Sequence, residues 1–197
     1  MTPYYQDDYC TIYHGDCRDI LPSLPKVDLV LTDPPYPNNA GHFISGIEGA
    51  IECLQLYSCD SWLVFWDEMK TPPCPLPLVA RHIWHRTNTN RPDNYEAIYQ
   101  FEADGKKRPS RVFPYAVICV GLTGCIEATG HPTQKNAKLL TALLNLSGAA
   151  TILDPFMGSG TTLRAAKDLR RKAVGIEIEE KYCEIAVQRL RQEVLSL

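Results

Sequence analysis

A carboxylate, two prolines and an aromatic ring follow one another as Asp33-Pro34-Pro35-Tyr36. An ionised carboxylate accepts hydrogen bonds, and a tyrosine ring offers a flat face for stacking. Prolines lack the N–H group and fix their own φ angle, so this segment presents carbonyl acceptors on a stiff backbone. Acceptors beside a stacking ring suit a planar group that carries an NH2, such as the exocyclic amine of adenine or cytosine. The same four residues are also typical of an ordinary turn at the end of a strand.

A second segment that could bind a ligand lies late in the chain and contains two glycines. It reads Asp154-Pro155-Phe156-Met157-Gly158-Ser159-Gly160-Thr161-Thr162. A strand, a Gly-x-Gly turn, a helix, a second strand and then an acid form the order of a nucleotide-binding βαβ unit. Glu177 provides that acid, 17 residues after Gly160, near where a carboxylate binds ribose hydroxyls. A short Gly-x-Gly is also compatible with a plain tight turn.

The position of Asp154 restricts the ligand of this second segment. It stands before the glycines, where a pyrophosphate would meet a like charge, and the loop lacks the lysine of a P-loop. The predicted ligand therefore has adenosine-like hydroxyls and a cationic end, but no phosphate. S-adenosylmethionine has this chemistry, with an ammonium for Asp154, a ribose for Glu177 and a sulfonium near the glycine loop.

Apolar runs precede both segments, and each run predicts a buried strand that positions the polar residues after it. Further strands are predicted at residues 9–13, 61–66, 95–101, 112–124 and 173–178, and helices at 18–24, 136–146, 163–169 and 180–195. Strands that alternate with helices predict an α/β domain with a mostly parallel, twisted sheet flanked by helices. Ligands of such sheets bind beyond the carboxyl ends of the strands, where Asp33 and Asp154 stand.

Composition places limits on the class of protein. The chain has 197 residues, 45% of them hydrophobic and 22% charged, which predicts one globular domain over residues 1–197. It shows no basic leader before an apolar stretch and no apolar run of membrane length, so we expect a cytoplasmic protein without a membrane partner. The eight cysteines include no C-x-x-C pair, which predicts reduced thiols and no metal site. The net charge of −3 neither supports nor excludes a nucleic-acid partner.

Basic residues between positions 78 and 115 alternate with aromatic rings. The candidate cations are Arg86, Arg91, Lys106, Lys107, Arg108 and Arg111, and the rings are Trp84, Tyr95, Tyr99 and Tyr115. Cations beside stacking rings favour a nucleic-acid-binding face. A solvated loop next to core aromatics explains the same pattern, and both interpretations stay open.

Taken together, these segments resemble the amino-methylating DNA methyltransferases, which act on adenine N6 or cytosine N4. The matching segments are residues 33–36, residues 154–162 and His131-Pro132-Thr133-Gln134-Lys135, supported by Asp16 and Glu177. Their order, with the catalytic loop first and the cofactor loop late, resembles the β class of that family. The resemblance implies a Rossmann-like, S-adenosylmethionine-dependent methyltransferase fold that covers nearly the whole chain.

The resemblance also implies roles for individual residues. Asp33 and the backbone of Pro34 and Pro35 bind the target amine, and Tyr36 stacks on a base flipped out of double-stranded DNA. Thr133 and Lys135 close the methionine end of the cofactor. The implied cofactor contacts are Asp16, Cys17, Asp33, His131, Thr133, Lys135, Asp154, Pro155, Phe156, Gly158, Ser159, Gly160, Thr161, Thr162 and Glu177.

The chain departs from the family pattern in two ways. Asn136 follows Lys135 where the family usually has proline, so the entry into the next helix is expected to differ. The region left for target recognition is short, at most residues 103–130 with a contribution from 37–49. We therefore expect short or relaxed sequence specificity, or help from a second subunit such as a homodimer partner.

Asp33 favours adenine N6 as the methyl acceptor. Cytosine N4 and RNA remain alternatives, whereas methylation of a protein glutamine typically goes with Asn at this position. A catalytically silent nucleic-acid-binding subunit is the alternative from another class, and the intact acid, prolines, tyrosine and glycines argue against it. A bacterial or phage enzyme, either orphan or part of a restriction–modification pair, is expected.

Overall fold

The computed structural model of the chain describes residues 1–35, 55–66, 74–87, 94–115 and 135–192. Some predicted site residues lie outside these ranges, namely Tyr36, Arg91, His131 and Thr133. Residues 37–49 and the final part of the predicted recognition insert, 116–130, also lie outside them.

The described residues form strands and helices in the predicted alternation. The strands are β1 (Tyr5–Gln6), β2 (Cys10–His14), β3 (Leu29–Thr32), β4 (Ser61–Trp66), β5 (Leu78–Arg86), β6 (Tyr95–Glu102), β7 (Val112–Tyr115), β8 (Thr151–Asp154) and β9 (Lys172–Glu177). The α-helices are α1 (Cys17–Ile20), which continues into a 3-10 turn at Leu21–Ser23, α2 (Ala137–Ser147), α3 (Thr161–Asp168) and α4 (Glu180–Arg191).

All nine described strands join one sheet in the order β1-β2-β9-β8-β3-β4-β6-β5-β7. Parallel pairing connects β2, β9, β8, β3 and β4 in an unbroken series, and β5 is parallel to β7. Strands β1 and β6 run antiparallel to their neighbours. The predicted α/β fold with a mostly parallel sheet is confirmed.

The chain leaves β3 and β8, which are neighbours, in opposite directions across the sheet. From β3 it continues to β4 on one side, and from β8 it passes through α3 to β9 on the other. A reversal of this kind opens a crevice at the carboxyl ends of the two central strands, which is where open α/β sheets bind ligands.

Alternating strand positions build a core on each face of the sheet. One core joins residues such as Leu31, Phe65 and Ile98 to the apolar sides of α2, α3 and α4. The other joins alternate residues such as Val30, Val64 and Tyr99 to α1 and the 3-10 turn. Because the side chains of a strand alternate between faces, Asp33 follows Leu31 toward the face that α2 covers.

Strand β5 supports the core-aromatic interpretation for two of the rings between positions 78 and 115. Residues 78–86 form a nine-residue strand between β6 and β7. Trp84 is 2% exposed and packs in the core, and Tyr99 is equally buried, so neither ring is available for stacking on a base. The rings are buried because each faces the core side of its strand, whereas Tyr95, at the start of β6, is exposed.

The departure at Asn136 has a structural explanation. Asn136 is the N-cap of α2, and its side-chain oxygen accepts hydrogen bonds from the backbone N–H groups of Lys138 at 2.8 Å and Leu139 at 3.3 Å. Asparagine is among the strongest N-cap residues, because it satisfies amides that have no partner in the first turn. The helix therefore begins directly after Lys135 and fixes the direction from which that lysine enters the site.

Gly160 is held in a left-handed conformation, with φ 76°, at the start of α3. A Cβ atom there would lie 2.7 Å from Cβ of Ala186 on α4, so a side chain has no room. Gly148 has a similar φ of 70°, but a Cβ atom there would meet nothing within 4 Å. Gly160, unlike Gly148, therefore combines the conformational need for glycine with a close contact to another helix.

We expect Gly160→Ala to lower the free energy of unfolding by about 2–4 kcal/mol, the sum of a left-handed residue and an overpacked contact. Gly148→Ala is the matched control and should lose only about 1–2 kcal/mol. Urea denaturation followed by circular dichroism measures both. Equal losses would show that the contact with Ala186 relaxes without cost.

Within the described ranges, no helix is long and apolar enough to cross a membrane. The cysteines described there, Cys10, Cys17, Cys59, Cys74 and Cys183, carry free thiols.

Candidate active site at the carboxyl edge of the sheet

Asp33 and Asp154 lie at the same edge of the sheet, at the ends of adjacent parallel strands. The pairing of Val30 with Leu153 sets this register, and the Thr32 hydroxyl donates a hydrogen bond of 3.0 Å to Oδ1 of Asp154. The two segments singled out in the sequence, 121 residues apart, therefore meet at the crevice between β3 and β8.

Asp33 belongs to a row of alternating charges. Its Oδ2 lies 2.7 Å from Nζ of Lys135, and the same ammonium lies 2.7 Å from Oε1 of Glu96. Oε2 of Glu96 in turn lies 2.8 Å from the Arg86 guanidinium. Two anions and two cations balance, which is what allows four ionised side chains to share a largely buried position.

Aromatic rings form the floor beneath this row. Nζ of Lys135 lies 4.7 Å from the centre of the Phe65 ring and 6.0 Å from the Trp84 ring. The Arg86 guanidinium lies 5.3 Å from the same Trp84 ring, whose Nε1 donates to the Tyr115 carbonyl at 2.8 Å. Cations over aromatic faces are stabilised by the ring quadrupole, so the floor restricts where both charges can move.

The surroundings of Asp33 disfavour the ionised form of its carboxyl group. Burial raises its pKa to about 6, even though the Lys135 ammonium acts in the opposite direction, and the Glu96 charge adds to the increase. Within the described part of the chain, its Oδ1 is inaccessible to solvent and has no hydrogen-bond partner. A buried acceptor without a donor costs about 1–3 kcal/mol, which a ligand N–H can recover.

The pKa of Glu96 is shifted in the opposite direction to that of Asp33. Burial raises the pKa of Glu96, but the Lys135 ammonium and the Arg86 guanidinium outweigh burial and leave the pKa below its ordinary value. Glu96 is thus the fixed anion of the row, and Asp33 is the carboxylate that titrates near neutral pH.

Asp154 forms hydrogen bonds that hold the start of the glycine loop. Its side chain is 4% exposed, and Oδ1 accepts from the Thr32 hydroxyl and from the Phe156 backbone N–H at 3.2 Å. Burial raises the pKa of Asp154 to about 6, and hydrogen bonds from the Thr162 and Thr32 side chains oppose the increase. The structure therefore gives Asp154 a part in shaping the loop; its contact with a cofactor ammonium stays a prediction.

Glu177 shapes the same loop from the neighbouring strand. Oε2 accepts from the Gly158 backbone N–H at 2.9 Å, and Oε1 accepts from the Glu179 backbone N–H at 2.8 Å. Burial raises the pKa of Glu177, and these backbone donors oppose the increase. Since an ionised carboxylate has more lone pairs than these two donors use, Glu177 can still accept from ligand hydroxyls.

The remaining loop residues are mostly buried. Ser159, Thr161 and Thr162 are each 4–5% exposed. Arg189 of α4 donates to the Ser159 carbonyl at 2.8 Å and to the Thr161 hydroxyl at 2.9 Å. Pro155 is buried and Phe156 is half-buried, packed against the core on the α1 side. Their contacts with a cofactor stay predictions.

Asp16 follows β2 at the same edge of the sheet, and Cys17 is buried behind it. The Asp16 carboxylate caps α1 by accepting from the Arg18 backbone N–H at 2.9 Å, and it pairs with the Arg18 guanidinium. That hydrogen-bonded guanidinium lowers the pKa of Asp16. Asp16 is therefore the N-cap of α1, and its contact with the cofactor stays a prediction.

Most of the described candidate DNA-binding cations do not line this site. Lys107 donates to the carbonyl of Leu78, the first residue of β5, and Lys106 and Arg108 are its neighbours. Arg86 ends the same strand. Nine residues of strand span about 30 Å, so residues 106–108 lie at the amino edge, opposite Asp33.

The individual contacts of these cations agree with that separation. Arg108 is ion-paired with Asp104 at 2.9 Å, and the Arg111 backbone contacts His82 midway along β5. Only Arg86, among the described candidates, reaches the edge where Asp33 lies, and there it pairs with Glu96. A role in DNA binding stays a prediction for all of them.

The sequence did not single out Glu96 as a functional residue. Its signal was a lone acid in an otherwise apolar, aromatic strand, Tyr95-Glu96-Ala97-Ile98-Tyr99. The cross-strand pairing of Glu96 with Trp84 and the approach of Lys135 depend on tertiary structure. The structure shows that Lys135 joins Asp33 to Glu96, and its contact with the methionine end of the cofactor stays a prediction.

Comparison with known proteins places this site in a family. A profile described as DNA methylase, for N6 and N4 methyltransferases, matches residues 81–188. The chain is 27% identical to the type II methyltransferase M.ScaI of Streptomyces caespitosus, over 99% of this chain and 86% of that protein.

Two solved structures share the fold. The structure of M1.HpyAVI in complex with SAM superposes with a TM-score of 0.69 at 23% identity, over 93% of this chain and all of that one. The cytosine-N4-specific PvuII DNA methyltransferase gives a TM-score of 0.71 at 16% identity, over 98% and 90% of the two chains.

The family match covers more than half of the 197 residues and includes Glu96, Lys135, the whole glycine loop and Glu177. The acid at the end of a strand and the glycine turn that the resemblance implied both lie at the crevice between β3 and β8. The chain belongs to the DNA methylase family, the S-adenosylmethionine-dependent methyltransferases that act on exocyclic amines.

Proposed function

We propose that the chain transfers a methyl group from S-adenosylmethionine to the N6 amine of an adenine that is flipped out of double-stranded DNA. The observation that carries this proposal is the Asp33 carboxylate, which lies beside the Asp154 loop and has one buried oxygen that no donor of the described residues reaches. An amine N–H is the donor that such an oxygen lacks.

The residues present fit the cofactor. Within the described ranges, neither Asp154 nor Glu177 forms an ion pair, so the glycine loop has a carboxylate on each side. These two carboxylates suit a cationic ligand with hydroxyl groups and disfavour a phosphate beside them. When bound, S-adenosylmethionine supplies an electrophilic methyl group.

Asp33 and the adjacent backbone would act on the acceptor. The lone pair of an aromatic amine is delocalised into the ring, so the amine is a poor nucleophile. Hydrogen bonds from its two N–H groups to Asp33 and to a carbonyl of the Pro34–Pro35 segment favour a pyramidal nitrogen and orient the lone pair. Most of the acceleration then comes from positioning and preorganised dipoles.

The acceptor base must leave the duplex to reach this crevice. Flipping costs a few kcal/mol, and stacking on an aromatic ring returns part of that cost. Tyr36 is predicted to supply the ring, although it lies outside the described residues. Residues 103–130 remain the predicted recognition region, of which 103–111 lie away from the crevice.

Cytosine N4 is the second candidate acceptor. The similarity to the cytosine-N4-specific PvuII enzyme over 98% of this chain favours it, since that fold accommodates the smaller base. The carboxylate at Asp33 supports adenine. The two bases present the same kind of amine, so the same residues would serve either reaction.

Incubation of the full chain with tritiated S-adenosylmethionine and unmethylated duplex DNA tests the proposal. Digestion to nucleosides should give labelled N6-methyl-2′-deoxyadenosine. Labelled N4-methyl-2′-deoxycytidine would instead identify cytosine as the substrate. Matched RNA and protein acceptors should stay unlabelled. A chain that binds DNA but labels no acceptor would be the silent binding subunit, and the proposal would fail.

A further inference from the structure

Glu96 lies at the centre of the charge row, yet family resemblance assigned it no role. It is the second residue of β6, it is 6% exposed, and it lies opposite Trp84. Each of its carboxylate oxygens binds a different cation, Lys135 at 2.7 Å and Arg86 at 2.8 Å. A buried carboxylate with both oxygens bound is fixed in orientation, and so are the cations that it binds.

We propose that Glu96 and Lys135 form a positioning pair that presents Asp33 to the target amine. Glu96 anchors the ammonium, the ammonium holds Oδ2 of Asp33, and Oδ1 is left as the acceptor. This inference rests on the proposed function, because it concerns the same Asp33.

The geometry around Lys135 explains why two carboxylates are needed. Its ammonium lies 2.7 Å from each acid and 4.7 Å from the Phe65 ring centre, so anions on two sides and a ring fix its place. Without Glu96, the ammonium loses the carboxylate that draws it away from Asp33 and can bind both oxygens of Asp33. Oδ1 would then be occupied by the lysine and unavailable to the amine.

The charged groups that face Asp33 come from several elements. Lys135 precedes α2, Glu96 begins β6, Arg86 ends β5, and Asp154 ends β8. The pair sets the protonation of Asp33 within this field, because Lys135 lowers the pKa of Asp33 and Glu96 raises it.

Opposite shifts in the pH dependence of kcat test the pair. Ionised Asp33 accepts hydrogen bonds through both oxygens and more strongly than the protonated acid, so wild-type activity should rise with pH through about 6, the pKa of Asp33. Glu96→Gln removes an anion and should move this acidic limb to lower pH, with kcat at the plateau reduced about 10- to 100-fold by misplacement. Lys135→Met removes a cation and should move the limb to higher pH.

Two matched controls separate positioning from general damage. Glu102→Gln removes a carboxylate from the other end of β6, and Lys138→Met removes an exposed lysine from the first turn of α2. Neither should move the limb or the plateau. Limbs that stay at the wild-type pH in both Glu96→Gln and Lys135→Met, or that move in the same direction, would overturn the proposal.

A titration that does not depend on activity separates this inference from the proposed function. Carbon-13 NMR of labelled aspartates, with Asp33 assigned by its loss in Asp33→Asn, follows its pKa in each variant. An enzyme that methylates no base but shows the opposite pKa shifts would refute the function and leave the charge coupling intact. If Glu96→Gln does not fold, Lys135→Met decides: an upward shift supports the pair, and an unchanged pKa overturns it.

Discussion

Asp33→Ala should lower kcat for methyl transfer by at least about 100- to 1,000-fold, because it removes an acceptor that acts on the reacting amine. Cofactor affinity should change only a few-fold, since the Asp154 loop keeps its hydrogen bonds from Thr32 and Phe156. Tritium transfer to duplex DNA measures kcat, and isothermal titration with S-adenosylmethionine measures affinity.

The fold should tolerate this substitution. The raised pKa of Asp33 means that its ionised form is less stable in the folded chain than in water, so the folded state loses little by its removal. Lys135 keeps Glu96 as a partner. Asp60→Ala is the matched control, since it removes an exposed carboxylate paired only with Lys26 at the amino edge of β4. Full activity of Asp33→Ala would refute the assigned role.

Glu177→Ala should weaken S-adenosylmethionine binding by about 100-fold or more. The substitution removes the acceptor for the Gly158 and Glu179 backbone N–H groups and the predicted acceptor for ribose hydroxyls. Hydrogen bonds to charged groups contribute about 1.5–3 kcal/mol each, and tenfold in affinity corresponds to about 1.4 kcal/mol. Isothermal titration gives the dissociation constant.

Glu177→Gln and Glu184→Ala are informative companions. The glutamine retains one acceptor oxygen and should lose less affinity than alanine. Glu184 is an exposed acid on α4, and its removal should leave binding unchanged. If Glu177→Ala binds the cofactor as tightly as the wild type and the glycine loop is intact, the ribose-binding role is excluded.

Local patterns in the sequence were sufficient for most elements of the fold. The apolar runs before Asp33 and Asp154 are strands because neither face of a central parallel strand meets water, and this burial leaves a continuous apolar signature. Strand β5 was not predicted from the sequence. It has nine residues and is paired on both sides, but its cations and His82 interrupt the apolar run that would have indicated a strand.

The same limit applies to the position of the basic residues between 86 and 108. Arg86 and residues 106–108 are close in sequence, but the antiparallel pair of β5 and β6 sends them to opposite edges of the sheet. A short separation in sequence does not show whether two residues lie on one surface or at opposite ends of a pair of antiparallel strands. The position of a cation relative to Asp33 is decided by strand direction.

The sequence by itself determined the parts: an acid and two prolines after one strand, an acid and two glycines after another, and the order that identifies the family. These are local features, fixed by residue type and by the periodicity of one strand or turn. Only the tertiary structure decided that Lys135 bridges Asp33 and Glu96, and that one Asp33 oxygen is buried with no donor from the part of the chain that the structure describes. That arrangement depends on burial and on charges brought together from four separate segments, and neither quantity exists until the sheet has formed.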